Sequence, residues 1–253
     1  MKSNLEGRTA VVSGAGAGIG RAIAARLAQE GARLVISDIN AERVERAEAE
    51  LRAGGAEVSA LVADAASNEG IAATFAAALE DFGSLDILVN NAGVPDHWKT
   101  MLEVSDEAWD RHLGINLSGP FKACRAAVPI MIKQGKGVII NLASISGFRG
   151  GRSGFAYTVA KHGVIGLTKA VAVEYGAAGI RCNCISPGSV ETSLAGMDGM
   201  SEEGLKIREK GIVTRPPRAQ PDDIAPAVAF LASDDSRYVN GTNLVIDAGW
   251  TAW

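Results

Sequence analysis

Three cysteines in 253 residues are too few, and odd in number, for a disulfide framework. Cys182 and Cys184 lie two apart in a probable strand and so share a face. With no histidine nearby they are a weak metal signal and read as small buried hydrophobes, so no metal site is expected. An excess of one charge is also missing. The 25 Lys and Arg against 29 Asp and Glu leave a net charge of −4, with no polybasic footprint for nucleic acid. No apolar run reaches transmembrane length, and Met1 to Arg8 carries no signal-like stretch. A cytoplasmic protein without a membrane or nucleic-acid partner is expected, which makes the Asn116 and Asn240 glycosylation triplets chance matches. Linkers, internal repeats and low-complexity segments are absent too, so one domain spanning 1–253 is expected.

What is present is an alternation. Short apolar runs, β-rich and not alternating in polarity, lie around Ala10–Val12 and at Arg33–Ser37, Glu57–Val62, Asp86–Asn90, Gly137–Leu142, Ile180–Ile185 and Asn243–Ile246. That is the pattern of strands buried on both faces. Ala-rich helical stretches separate them: Ile19–Glu30, Ala41–Ala53, Ser67–Phe82 with Ser67 as N-cap, Ser105–Lys133 with a break or kink at Gly119 and Pro120, Phe155–Ala178 and Asp222–Ala232. Strand and helix alternating this long predict an α/β fold, a doubly wound parallel sheet with helices on both faces. The least regular stretch, Gly188–Gln220, is long for a loop and follows a late strand. Its part from 189 to 217 reads as a substrate lid, the alternative being a disordered surface excursion.

Both ends of a dinucleotide reaction can be located. Ser13 to Gly20 follow the first strand and open the first helix. Strict G-x-G-x-x-G spacing fails, but Gly14, Gly18 and Gly20 fit G-x-x-x-G-x-G. Glycines there allow a tight turn and close backbone approach to a pyrophosphate, and the helix behind offers its free N–H groups. Asp38 ends the second strand, where an acid reaches the adenosine ribose hydroxyls and repels a 2′-phosphate, so NAD is expected over NADP. The alternative for Asp38 is a cap on the helix at Ala41. Asp64 is placed to bond the adenine amino group or to cap the Ser67 helix. In Asn90–Gly93, side-chain amides can satisfy backbone groups between strands, and Gly93 admits a ligand. Ser144 lies at the carboxyl end of the fifth strand. Tyr157 and Lys161 share a helix face, where an ammonium would lower the phenol pKa and make Tyr157 a general acid/base, with Ser144 stabilising the substrate oxygen. A lone Y-x-x-x-K pair is as readily a core tyrosine and a solvated lysine, so the weight comes from co-occurrence.

Taken together, the Gly14/Gly18/Gly20 turn, Asp64, Asn90–Gly93, Asn116, Ser144, Tyr157, Lys161 and Pro187–Gly188 make the chain resemble the short-chain dehydrogenase/reductase family along its whole length. Ser13 departs only by a methyl from the threonine of many members. The resemblance implies a Rossmann-like fold of seven strands ordered 3-2-1-4-5-6-7. It implies a tetrad of Asn116, Ser144, Tyr157 and Lys161, with Lys161 also on the nicotinamide ribose and Asn116 holding a relay water. Cofactor contacts would come from Ser13, Gly14, Gly18, Ile19, Gly20, Asp38, Asp64, Asn91, Ala92, Gly93, Tyr157, Lys161, Pro187, Gly188, Val190 and Thr192. The activity implied is hydride transfer between NAD(H) and a secondary alcohol or ketone, in a homotetramer or homodimer. The alternatives are a nucleotide-sugar epimerase-like enzyme and a non-catalytic NAD sensor or scaffold. Trp98, Phe148 and Phe155 are expected as apolar walls of the substrate pocket. His97, Arg149 or Arg152 would meet an anionic substrate group, unless the arginines are simply solvated. Trp250 and Trp253 are expected to be exposed in the protomer, with one or the other buried by a partner subunit.

Overall fold

The structure, a computed structural model, describes residues 5–192 and 200–252. Seven parallel strands form one sheet in the order 3-2-1-4-5-6-7, as the resemblance implied. They are β1 (Thr9–Ser13), β2 (Arg33–Asp38), β3 (Val58–Val62), β4 (Ile87–Asn90), β5 (Gly137–Leu142), β6 (Ile180–Pro187) and β7 (Asn243–Ile246). The lack of polarity alternation has its explanation in the core. Val12, Leu34, Ile36, Ile87, Val89 and Ile140 face one helical layer, formed by α1 (Gly18–Gln29), α2 (Ala41–Ala53) and α8 (Pro221–Ala232). Val11, Val35, Leu88, Ile139 and Cys182 face the other, formed by α3 (Asn68–Phe82), α5 (Gly119–Gln134) and α6 (Phe155–Tyr175). Chain order reverses between β1 and β4, and at that switch point the carboxyl ends of the strands leave a crevice.

Caps explain where the helices start. The Asn40 side chain accepts from the Arg43 N–H (2.9 Å) and Ser67 from the Gly70 N–H (2.9 Å), the latter as expected. The Ser105–Lys133 segment is interrupted, but earlier than its proline suggested. α4 (Asp106–Leu113) runs into a π-helical turn, Gly114–Ser118, and Pro120 sits in the first turn of α5, where a missing N–H costs nothing. Such wide turns recur at functional sites, and this one carries Asn116. The stretch around Ser201–Lys210, expected as irregular, is a helix, α7 (Glu202–Ile212), capped by Ser201. Its short alternation of acids and bases hid an amphipathic turn pattern. Residues 193–199 of the expected lid lie outside the described residues.

The glycine turn is built by close packing. Gly14 and Gly18 have positive φ, 64° and 54°. A Cβ on Gly20 would lie 2.2 Å from the Gly14 carbonyl oxygen, so only glycine lets α1 start there. Replacing Gly20 by Ala is expected to cost about 1–3 kcal/mol of overpacking. A Tm several degrees lower and weaker NADH binding by fluorescence would be seen; an unchanged Tm would show that the turn can yield. Trp250 is not exposed in the protomer, contrary to expectation. It is 6% exposed, with the Arg152 guanidinium 4.6 Å above its ring. Trp253 lies outside the described residues. Among those residues, no helix is long and apolar enough to cross a membrane.

Candidate active site

The nucleotide end is assembled from β1, β2 and β4. Ser13 Oγ accepts from the N–H groups of Asn91 (3.1 Å) and Ala92 (3.2 Å), and Asn91 Nδ2 donates to the carbonyls of Ser13 and Gly14 (both 3.0 Å). Asn91 thereby does what was expected of the Asn90–Asn91 pair. Asn90 instead donates to Asn141 Oδ1 (2.8 Å), and Asn141 to Thr168 (2.9 Å), in a dry polar chain among the three buried cysteines. Burial pushes the thiols of Cys124 and Cys184 up, to about 12 and about 11, so they act as packing groups.

The Asp38 carboxylate accepts from the N–H groups of Gly16 and Asn40, each at 3.0 Å. It lies on the glycine turn and does not cap α2, whose cap is Asn40. Arg43 comes to the same corner. A Cβ on Gly16 would lie 2.8 Å from both Asp38 Oδ2 and Arg43 Cβ. α1 has Ala17 at its N-cap, no side-chain cap and no acid in its first turn, so its leading N–H groups suit an anion. Ile19 packs into the core behind them. Asp64 accepts from the Ala66 N–H (2.8 Å) and leaves the capping of α3 to Ser67. After β6, the Gly188 N–H is held by Ile246 (2.8 Å), Val190 bridges Ala219, and the Thr192 methyl lies 3.3 Å from where a Gly18 Cβ would be. Pro187 to Thr192 thus return the chain to the glycine turn. The donors, the glycine cradle and the Asp38 carboxylate fit a nicotinamide dinucleotide.

At the chemical end, Ser144, Tyr157 and Lys161 are brought together, with Asn116 beside them. The Ser144 hydroxyl lies beside the Tyr157 phenol and favours its ionised form, and it accepts from the Ser146 N–H (3.1 Å). Lys161, 4% exposed, donates to the Leu142 carbonyl (2.6 Å) with Nζ 5.4 Å from the Tyr157 ring centre. Asn116, fully buried, clamps the Val94 backbone, accepting from its N–H (3.0 Å) and donating to its carbonyl (3.1 Å). One expectation is corrected. Burial and the nearby Asp96 push the Tyr157 phenol up to about 12, and Lys161 is not among the groups that lower it. The ammonium lies against the ring and donates to a backbone carbonyl. Burial in turn brings Lys161 down to about 8.

A cavity of about 250 Å³ opens beside the start of α6, walled by Trp98, Met101, Phe155, Thr158 and Ile207 among others, with none of Ser144, Tyr157, Lys161 or Asn116 in its lining. Trp98 and Phe155 were expected there. Phe148 instead packs against the small core of Val164 and Ile165, while Met101 and Ile207 were missed. Arg149 donates to the Thr251 carbonyl (2.8 Å) and Arg152 to that of Gly211, so both tie the chain's end and α7 to the site's rim.

A family model described as enoyl-(acyl carrier protein) reductase matches residues 14–251. The chain belongs to the short-chain dehydrogenase/reductase family. It is 39% identical over 251 residues to 3beta-hydroxysteroid dehydrogenase 2 of Eggerthella lenta, covering 98% of this chain and 96% of that one. It is 37% identical over 252 residues to cyclohexanol dehydrogenase of an Acinetobacter species, covering 100% and 98%. A crystal structure described as an NAD(P)-dependent gluconate 5-dehydrogenase of Beutenbergia cavernae, with NADP bound at low occupancy, is 37% identical, with a TM-score of 0.88 and full coverage of both chains. The enzyme is thus a short-chain dehydrogenase.

Proposed function

We propose that this single domain, 1–253, moves a hydride between NAD(H) and a compact, largely apolar secondary alcohol or ketone. The observation that carries the reading is buried Lys161 against the Tyr157 ring, with Ser144 beside the phenol, across the switch point from Asp38. Bound nicotinamide supplies the hydride acceptor or donor. Tyr157 is the general acid/base, Ser144 stabilises the substrate oxygen, and Lys161 holds the nicotinamide ribose and returns the proton through water at Asn116. The phenol, raised by burial, is protonated at neutral pH, the state that protonates a carbonyl oxygen. The aromatic and aliphatic walls suit cyclic substrates, of the size the cyclohexanol-oxidising relative handles. α7 and the segment from 189 to 217 serve as the lid.

NAD preference rests on the Asp38 carboxylate at the ribose corner. Assembly as a homotetramer or homodimer is supported by Phe121, Ile132 and Val173, apolar side chains left exposed on α5 and α6. Three free, buried thiols suit a cytoplasmic location. The deciding experiment follows absorbance at 340 nm with cyclic and acyclic alcohols offered with NAD or NADP, and ketones with the reduced forms. Tyr157→Phe is the control and sedimentation gives the assembly state. NAD-linked turnover lost in Tyr157→Phe supports the reading. Equal turnover in that variant removes Tyr157 from the chemistry, and a monomer removes the oligomer.

A further inference from the structure

Asp96 has no part in the tetrad, yet it is 2% exposed on the β4–α4 connection and every strong contact it makes is at the catalytic helix or its own turn. Its Oδ1 accepts from the Gly154 N–H (3.1 Å), the Ser153 hydroxyl (3.4 Å) and the Trp98 N–H (3.3 Å), and its Oδ2 accepts from the Tyr157 N–H (2.8 Å). Gly154 is the N-cap residue of α6 and has no side chain to cap with. Tyr157 is the third residue of that helix, the position whose N–H a Ser, Thr or Asp at the N-cap would ordinarily accept. A carboxylate from a distant loop therefore does the capping. The fit is exclusive: a Cβ on Gly154 would lie 2.6 Å from both Asp96 oxygens.

The loop is shaped to deliver that carboxylate. His97 and Trp98 follow it in left-handed conformation, φ 52° and 59°, which non-glycine residues adopt only where the surroundings enforce it. The His97 carbonyl accepts from the Ser201 N–H (3.1 Å) at the start of α7, so the same turn also meets the lid helix.

Resting on the acid/base role given to Tyr157 above, we propose that Asp96 is a positioning residue. It fixes the backbone of Tyr157 from outside the helix and places a negative charge where the phenolic proton is held. The charge disfavours phenolate, and it is the second largest contribution, after burial, to the raised phenol. Ser144 and Lys161 are the other polar groups at the phenol. Around the Asp96 corner stand His97 and Lys99 on its own loop and Arg111 and His112 on α4. His112 is held below the ordinary histidine range, mainly by burial, so it is neutral in the alkaline window of the test.

The test uses whole enzyme with cyclohexanol and NAD as probes, and amide hydrogen exchange of the 153–160 segment read by mass spectrometry. Asp96→Asn keeps one of the two accepting oxygens, turns the other into a donor and removes the charge. It is expected to exchange more slowly at the first-turn amides than Asp96→Ala, while the rising limb of kcat/KM for oxidation moves to lower pH by about one unit. Asp96→Ala removes both, and is expected to speed exchange at the first-turn amides at least tenfold and lower kcat about tenfold, with the KM for NAD within about twofold, as for a single lost cap and a misplaced acid. Gly154→Ala, which pushes the carboxylate away without deleting it, should speed exchange as Asp96→Ala does, and stands in for that variant if it does not fold. An unmoved limb in Asp96→Asn together with unaltered exchange in Asp96→Ala or Gly154→Ala overturns the proposal. If cyclohexanol is not turned over, the exchange result decides alone. Tyr157→Phe run alongside separates the two failures: an inactive Tyr157→Phe with an unmoved Asp96→Asn limb and unaltered exchange sinks only the Asp96 role, whereas an active Tyr157→Phe sinks the acid/base reading itself.

Discussion

Tyr157→Phe is expected to lower kcat for ketone reduction by about 10²–10⁴, the span of a lost general acid, with the KM for NADH nearly unchanged. The substitution deletes one oxygen from a half-buried ring. The backbone of residue 157 stays fixed by Asp96, and the Phe ring can keep the place above Lys161. Only the phenolic oxygen and its proton, beside Ser144, are lost. Steady-state kinetics with circular dichroism as a fold check reads the effect; activity within a factor of ten would mean that solvent protonates the substrate oxygen. The pH dependence of the wild type follows from the two shifted groups. Tyr157, pushed up to about 12, stays protonated through neutral pH, so reduction should be flat there. Lys161, brought down to about 8, loses its proton as the pH rises through that value, so reduction should decline above it. Oxidation, which needs a deprotonated phenol, should climb with pH. A reduction profile still flat at pH 10 would take Lys161 out of the proton path.

Much of this was legible because the signals were local. Strand cores, the helix behind Gly14–Gly20 and the Ser67 cap depend on runs of residues whose neighbours in sequence are their neighbours in space. Tyr157 and Lys161 are one helical turn apart and could be paired by spacing alone. What escaped depends on distant contacts. Asp96 caps a helix that begins 59 positions later, and nothing in the run from Val94 to Trp98 shows that two left-handed residues turn the carboxylate inward. Arg149 and Arg152 look like solvated loop arginines until the carbonyls of Thr251 and Gly211 are found beside them. Trp250 looked exposed because a terminus usually is, yet Arg152 covers it within the protomer. The π turn at Gly114–Ser118 was masked by the stronger proline signal just beyond it. The Tyr157 shift could not be read from spacing either. Its sign depends on where Nζ of Lys161 ends up, and a backbone carbonyl, Leu142, takes it.

Asp38→Ala is expected to reverse or erase the preference between the two nucleotides. In the wild type the carboxylate rests on the Gly16 and Asn40 N–H groups, its place fixed by two hydrogen bonds of 3.0 Å. It cannot swing far from a phosphate on the adjoining ribose. Two like charges at about 4 Å cost roughly 4 kcal/mol at an effective dielectric near 20, roughly a thousandfold in affinity before rearrangement softens it. Removing the charge lifts that penalty for NADP and removes the ribose acceptor for NAD, so the two changes work in the same direction. The corner then offers a phosphate the Gly16 and Asn40 N–H groups, and Arg43 stands beside them without an ion pair among the described residues. The ratio of kcat/KM for NAD over NADP should fall by about 10²–10³ in Asp38→Ala. Adding Arg43→Ala should return part of that gain by weakening NADP alone. A ratio that Asp38→Ala leaves in place would move the discrimination elsewhere, and wild-type enzyme equally fast with both nucleotides would mean that Arg43 already offsets the carboxylate.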